Sequence, residues 1–320
     1  MSVLTSADRF KRALAANDLR AIKRLTDTYA MMYQRLQARL QDIMEGSPTR
    51  ARIIALSKQI EEELARYSNY ALPEITRIGR DGVTYGIRDM NALLTESLPA
   101  GIRVNFNKLP VDAIIQALGF LSPDGELYKR IEGLSGYYAP RIKDELIAGI
   151  GTGANPETTA KLIYRKFEGM MGMTLTDVIR QTRTVQLYSY REASRASMIA
   201  NQDVVEGWVW YAEIGDPDTC LSCIAMHGTV HGLDETLDDH HNGRCAMLPM
   251  LIGEDNPVEV NGADWLTGQP EATQREIMGA GKYEAWQEGK FGIEQLSVQR
   301  DDPVYGTMRG EASLKDLIGQ

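Results

Sequence analysis

Every cysteine and every histidine of this 320-residue chain lies between Cys220 and Cys245. Three thiols and four imidazoles inside 26 residues do not arise from random placement, so the segment must close in a way that lets these groups share chemistry. Their order is Cys220-x2-Cys223, sixteen residues, His240-His241, then Cys245. A Cys-x2-Cys turn presents two thiolates to one ion, and a second pair from a distant loop completes a tetrahedron. Thiolate and imidazole ligands together favour zinc among the common ions. Adjacent histidines cannot easily both bind one ion. The spacing therefore predicts Cys220, Cys223, His240 and Cys245 as metal ligands, with His241 as the alternative to His240. Four protein ligands leave no open coordination position, so the predicted zinc is structural, and its binding adds folding free energy to a module with a small core. Two other readings compete for the same residues. One is reduced structural cysteines; the other is a redox Cys-x2-Cys, which would want a thioredoxin-like strand–helix setting that the neighbouring residues do not supply. His227 and His231, between the two ligand pairs, are expected to pack or to make hydrogen bonds that support the ligands.

The rest of the chain reads differently. From Ser6 to Glu45 there is no Pro and no Gly, and Leu14, Leu19, Ile22, Leu25, Tyr29, Met32, Leu36, Leu40 and Ile43 recur at helical spacing. Gly46-Ser47-Pro48 breaks that run, and a second helix is predicted to about Tyr70, forming an antiparallel pair with a solvated outer face. Pro73, Gly79, Gly82 and Gly86 loosen the next stretch, with shorter helices predicted over 87–98, 110–121 and 124–149. The stretch 149–156 is the best linker candidate. Helices are predicted from Pro156 to about Glu168 and from Thr174 to Asn201, with Gly169 to Met173 as a joint between them. Trp208, Trp210 and Ala212 then alternate with Val209, Tyr211 and Glu213 as a short strand, and Gly228 to His231 reads as a second. Two short helices are predicted over 270–278 and 282–288, before an acidic, poorly patterned tail beyond Gly292. The predicted class is mainly α: a long helical N-terminal region followed by a small α+β metal-binding module. Its predicted parts are a helical region over 1–150, a helical connection over 151–204, the Cys/His module over 205–255, and helical segments with an acidic tail over 256–320.

Composition and charge narrow the function classes. No apolar run approaches the ~20 residues of a membrane-spanning helix, and Met1 to Arg12 has no signal-peptide core, so folding in a cytoplasm is expected. Residues 201–320 carry 22 acids against 7 Lys and Arg, a net of −15, while residues 1–200 carry 22 acids against 28 Lys and Arg, a net of +6. An acidic C-terminal third is a poor grip for nucleic acid.

Around the cluster, the segment Trp208-Val209-Trp210, Asp218-Thr219-Cys220-Leu221-Ser222-Cys223, His227-Gly228-Thr229-Val230, His240-His241-Asn242-Gly243-Arg244-Cys245 and Pro249 resembles the signature of tailed-phage minor head proteins of the Mu F-like, or phage head morphogenesis, family. That signature runs from a Trp through Asp-x-Thr-Cys-x2-Cys and a Gly-x-Val/Tyr step to His-Pro-x-Cys-Arg-Cys before a Pro. Downstream, Asp264-Trp265-Leu266, Gln269-Pro270, Gln274-Arg275, Gly279, Tyr283, Trp286 and Gly289-Lys290 also resemble the family, as does the placement of Arg180 and Arg183 on a long helix. The resemblance covers about residues 150–290. Gly243 stands where many members have Cys, and His241 where many have Pro. The resemblance implies a low-copy structural protein of the virion, at the portal vertex or in the capsid interior, made in the host cytoplasm. It implies portal protein and major capsid or scaffold protein as partners, with packaged DNA as a further contact, and no catalytic residue. Arg244 would then have a structural or partner-contacting role. Two alternatives use the same residues. One is a His-Asn-His-type zinc-finger nuclease built on His240-His241-Asn242, although the second Cys-x2-Cys/His pair of such enzymes is missing. The other is a zinc-stabilised nucleic-acid-binding module, against which the acidic charge counts.

Overall fold

The computed structural model describes residues 3–45, 50–98 and 156–319, with Gly119, Gly125 and Lys129 as isolated positions. The helices expected over 110–121 and 124–149 and the linker over 149–156 lie outside the described residues, apart from those isolated positions. Three long helices dominate: α1 (Val3–Glu45), α2 (Arg50–Ser97) and α3 (Pro156–Ile199). Beyond them come β1 (Val205–Tyr211), α4 (Leu221–Met226), β2 (Val230–Gly232) and β3 (Ala246–Leu251). The remaining elements are α5 (Gly262–Thr267), α6 (Glu271–Met278), α7 (Ala280–Gln287), a 3-10 turn (Ile293–Leu296), β4 (Ser297–Asp302), β5 (Gly306–Glu311) and α8 (Leu314–Ile318). The chain is mainly α, with a long helical N-terminal region followed by small sheets and the Cys/His cluster. It divides into two compact units.

One unit comprises residues 16–78 and 119–185. Here α1 and α2 run antiparallel, as the ion pairs Arg24–Glu74 and Arg35–Glu63 show. The buried stripe of α1 is Ala21, Leu25, Tyr29, Met32 and Leu36, at steps of three or four. Leu19 points to solvent instead, because the stripe steps through Asn17 and Ala21. Facing it, α2 buries Leu56, Ile60, Leu64, Tyr67, Ala71, Ile75 and Ile78. The Tyr67 hydroxyl donates to the Leu25 carbonyl at 3.3 Å, and its ring meets Tyr29 edge-on at 4.9 Å.

The sequence-based end of α2 near Tyr70 is corrected: the helix passes through Pro73 and continues to Ser97. A proline inside a helix costs about 3 kcal/mol. Ala71, Ile75 and Ile78 around it are wholly buried, and burial at roughly 0.8 kcal/mol per methylene outweighs the lost hydrogen bond. The predicted break in α3 is corrected likewise. Gly169 and Gly172 lie inside a helix that runs unbroken from Pro156 to Ile199, since a helical glycine costs only about 1 kcal/mol.

The other unit comprises residues 1–15, 79–118 and 186–320. Gly82 and Gly86, read from sequence as loosening, are contact points between α2 and α3. A Cβ on Gly82 would stand 2.5 Å from the Gln186 carbonyl oxygen, and one on Gly86 2.9 Å from the Ala193 Cβ. Against these helices lies a three-stranded antiparallel sheet of order β2-β1-β3, in which Trp208 pairs with His231 on one side and Pro249 on the other. The alternation of β1 separates two buried faces. Trp208 and Trp210 join a core with Met90, Leu94, Met198, Cys223, Cys245 and Met247, while Val209 packs with Ala7, Leu248 and Val258. Strand β3 has no sequence signal because of Pro249, which is tolerated on an edge strand. A third core gathers Leu221, Ile224, Leu266, Met278, Tyr283, Phe291 and Leu296, with Trp265 and Trp286 packed against it.

The tail beyond Gly292 is not unpatterned. It forms the β4–β5 hairpin in full register from Ser297↔Glu311 to Asp302↔Gly306. Its turn is held by Asp302 Oδ1, which accepts from the Val304 and Tyr305 backbone N–H groups at 2.8 and 3.0 Å.

Candidate metal centre

The site is assembled from three short pieces around β1. Leaving β1, the chain turns at Asp216, whose Oδ1 accepts from the Asp218 N–H at 2.8 Å, and Thr219 Oγ1 donates to the Glu213 carbonyl at 2.7 Å. This delivers Cys220 to the N-cap of α4, where its sulfur accepts from the Cys223 N–H at 3.4 Å. One helical turn then brings Cys223 beside it, Sγ to Sγ 3.4 Å. Cys245 comes from the residue immediately before β3.

His240 comes from the loop between. Its Nε2 lies 3.2 Å from Cys220 Sγ and 3.4 Å from Cys223 Sγ, and its Nδ1 lies 2.9 Å from the His241 carbonyl oxygen. A carbonyl can only accept, so Nδ1 carries hydrogen and Nε2 is the nitrogen aimed at the thiols, the arrangement usual for a ligating histidine. His241 turns the other way: its Nε2 lies 3.0 Å from Asp302 Oδ2 and its ring meets Tyr305 edge-on at 5.7 Å. The loop alternates in its duties. Asp238 accepts from Arg309 at 3.1 Å and Gln299 at 2.7 Å, so positions 238 and 241 fasten the hairpin while 239 and 240 face the cysteines.

Tetrahedral zinc at usual bond lengths needs ligand–ligand edges of about 3.5–3.8 Å. The Cys220, Cys223 and His240 edges of 3.2 to 3.4 Å are within a few tenths of that. Cys245 enters through Cys223, in a second triplet with Asp239 whose ligand atoms lie within 4.8 Å of one another. A cavity of about 30 Å³ is lined by all four residues, with Asn242, Gly243 and Arg244 at its rim. The donors therefore fit a metal ion, which would cross-link α4, the 233–245 loop and the start of β3.

Electrostatics prepare the same groups. The Cys220 thiol is pulled down to about 5 by its hydrogen bond with Cys223 and, against burial, by His240. Cys223 is pushed up by its contacts with Cys220 and Cys245 and by burial. Burial opposes charge on His240, but Cys220 and Asp239 outweigh it and push it up to about 10. A bound cation would take the place of that proton.

The other histidines pack. His227 is buried, and its Nδ1 accepts from the Ala212 N–H at 3.0 Å; burial lowers its pKa to about 4. His231 stacks on Trp208 at 4.3 Å. Arg244 clips the loop to the preceding turn through both Asp216 oxygens at 3.1 and 3.2 Å.

Sequence reasoning missed two residues here. Asp239, beside His240, accepts from the His240 and Cys245 N–H groups at 2.9 and 3.2 Å. Burial alone would raise its pKa, but Arg191, His240 and those N–H groups hold it below the usual carboxylate range. An acid adjoining a candidate ligand was the available signal; Arg191, far off on α3, had none. No protein-family model, no curated protein and no solved structure matches the chain.

Proposed function

We propose that this chain is a minor head protein of a tailed bacteriophage. In this reading it is a non-enzymatic virion component that binds portal and capsid or scaffold proteins during head assembly, and its C-terminal module is stapled by structural zinc. The observation that carries the reading is the convergence of Cys220, Cys223, His240 and Cys245 inside the segment whose flanking residues resemble that family. The zinc supplies a cross-link rather than a reactive centre, because four protein ligands leave no open position. One feature favours a structural role over the nuclease alternative. Both ring nitrogens of His240 are engaged, Nε2 by the thiols and Nδ1 by the His241 carbonyl, so this imidazole is not offered as a base for water. Among the described residues, no helix is long and apolar enough to cross a membrane.

The reading places the protein at the portal vertex or capsid interior, with packaged DNA as a further contact. It is tested by metal analysis of the purified chain, and by co-expression with the portal and major capsid proteins of the same phage followed by mass spectrometry of purified heads. About one zinc per chain is expected, together with the chain in purified heads and no nicking of plasmid DNA with Mg²⁺ or Mn²⁺. Absence from purified heads, or nicking lost in His240→Ala, would overturn the assignment.

A further inference from the structure

Arg191 is the cation of α3 that reaches the candidate metal centre. Its side chain is 5% exposed, and its partner Asp239 is 1% exposed. Nη2 donates to Asp239 Oδ2 at 2.7 Å and to the Gly243 carbonyl at 2.7 Å, while Nε and Nη2 reach the Cys245 carbonyl at 3.1 and 2.9 Å. Asp239 spreads its acceptors over the same loop: Oδ1 takes the His240 N–H, Oδ2 takes the Cys245 N–H, and Oδ1 lies 3.5 Å from Cys223 Sγ. The pair thus touches three of the four candidate ligands. Gly243 completes the fit, because a Cβ there would fall on the Asp239 carboxylate. The loop can close over the acid only with glycine at that position.

A buried ion pair adds little stability by itself, since desolvating both charges offsets their attraction. Orienting the loop is a more specific use of it. A guanidinium forks rigidly to several acceptors at once, which a point charge does not. Asp239 Oδ1 also lies 3.5 Å from His240 Nε2, so the carboxylate, with hydrogen bonds from Arg191 and from the loop on its two oxygens, is placed to set the ring and the thiols beside it.

We propose that Arg191 and Asp239 are the positioning residues of the metal centre, holding His240 and Cys245 in ligating geometry and coupling metal affinity to the seating of α3 on the module. The proposal rests on the zinc reading above. Linkage makes the coupling reciprocal: whatever seating α3 adds to zinc affinity, zinc adds to the seating of α3.

The test uses the full-length chain. Zinc affinity is measured by chelator competition, and ligand geometry by the absorption of the Co²⁺-substituted protein, for Asp239→Asn, Arg191→Met, Arg191→Lys and Arg195→Met. Arg195, one turn along α3, pairs with Glu192 and the Leu233 carbonyl and controls for general loss of an α3 contact. Asp239→Asn and Arg191→Met are expected to weaken zinc roughly 10- to 100-fold while the thiolate–cobalt bands keep their tetrahedral pattern. Arg191→Lys should recover part of the loss, and Arg195→Met should stay within about twofold of the parent. Removing zinc from the parent should speed amide exchange over residues 186–198. Asp239→Asn and Arg191→Lys binding zinc as tightly as the parent would overturn the proposal, even if Arg191→Met fails to fold. So would an equal loss in Arg195→Met. A parent chain that takes up neither zinc nor cobalt defeats the zinc reading itself, and this proposal with it; a loaded parent with unchanged variants defeats the positioning role alone.

Discussion

His240→Ala and His241→Ala should part company sharply, although the two residues are neighbours. His240 Nε2 faces two thiols at 3.2 and 3.4 Å. Structural zinc in small modules is bound with about 10–16 kcal/mol, so an even share for one of four ligands is about 3 kcal/mol, or roughly a hundredfold in affinity. With free zinc well above both dissociation constants that loss appears directly as stability, about 2.7 kcal/mol for a hundredfold. His241 touches no thiol. Removing it leaves Asp302 without one partner at 3.0 Å and uncovers an edge of Tyr305. Asp302 still accepts two backbone N–H groups, so the cost should be about 1 kcal/mol, confined to the hairpin. Chelator competition reads the first effect and urea denaturation of the zinc-loaded protein reads the second. The reasoning fails if His241→Ala loses zinc while His240→Ala keeps it, because the Nδ1 contact with the His241 carbonyl would then not have identified the ligating ring.

Other consequences can be checked on the same protein. Gly82→Ala gains about 1 kcal/mol of helix propensity but sets a methyl 2.5 Å from the Gln186 carbonyl oxygen. Overpacking of this kind costs about 1–3 kcal/mol or more, so denaturant melts should show net destabilisation; a stabilised variant would mean the helices are not in contact there. Tyr67→Phe removes the buried hydrogen bond to the Leu25 carbonyl and should cost about 1 kcal/mol by the same measurement. Asp18, paired with Arg183 at 3.0 Å, has its pKa raised by burial to about 6 despite that charge. Its folded value therefore lies above its unfolded one, near 3.9, so its contribution to stability is fully present below about pH 4 and lost as pH rises through 6. Asp18→Asn should flatten that part of the pH–stability curve, and an unchanged slope would contradict the assignment.

How much of this could be read from residues alone depended on whether the deciding interaction was local. The Cys/His cluster was legible because thiols and imidazoles are scarce and their crowding is visible without any fold. The choice between His240 and His241 was not, since it turns on a carbonyl orientation and on Asp302, far along the chain. Arg191 was invisible for the same reason, since an ion pair between distant positions leaves no periodic trace, and Asp239 offered only its place beside His240. The hairpin escaped because Ser297, Tyr305 and Met308 are the few buried positions in it, too sparse to show an alternation.

The helix ends differ from the sequence pattern for another reason. Pro73, Gly82 and Gly86 read locally as punctuation, yet all lie inside α2. Local propensity measures what a residue costs a helix, about 1 kcal/mol for glycine, but not what its missing Cβ permits. Gly82 and Gly86 are one helical turn apart on one face, and α3 meets them with its own small residues, Ser189 and Ala193. Glycines at that spacing opposite small side chains mark a close helix crossing as readily as a break. The same logic governs Gly243, where the absent Cβ leaves room for the Asp239 carboxylate. In both places glycine matters for the atom it lacks: at α2 that lets two backbones approach, and at the metal centre it lets an acid stand against the ligands.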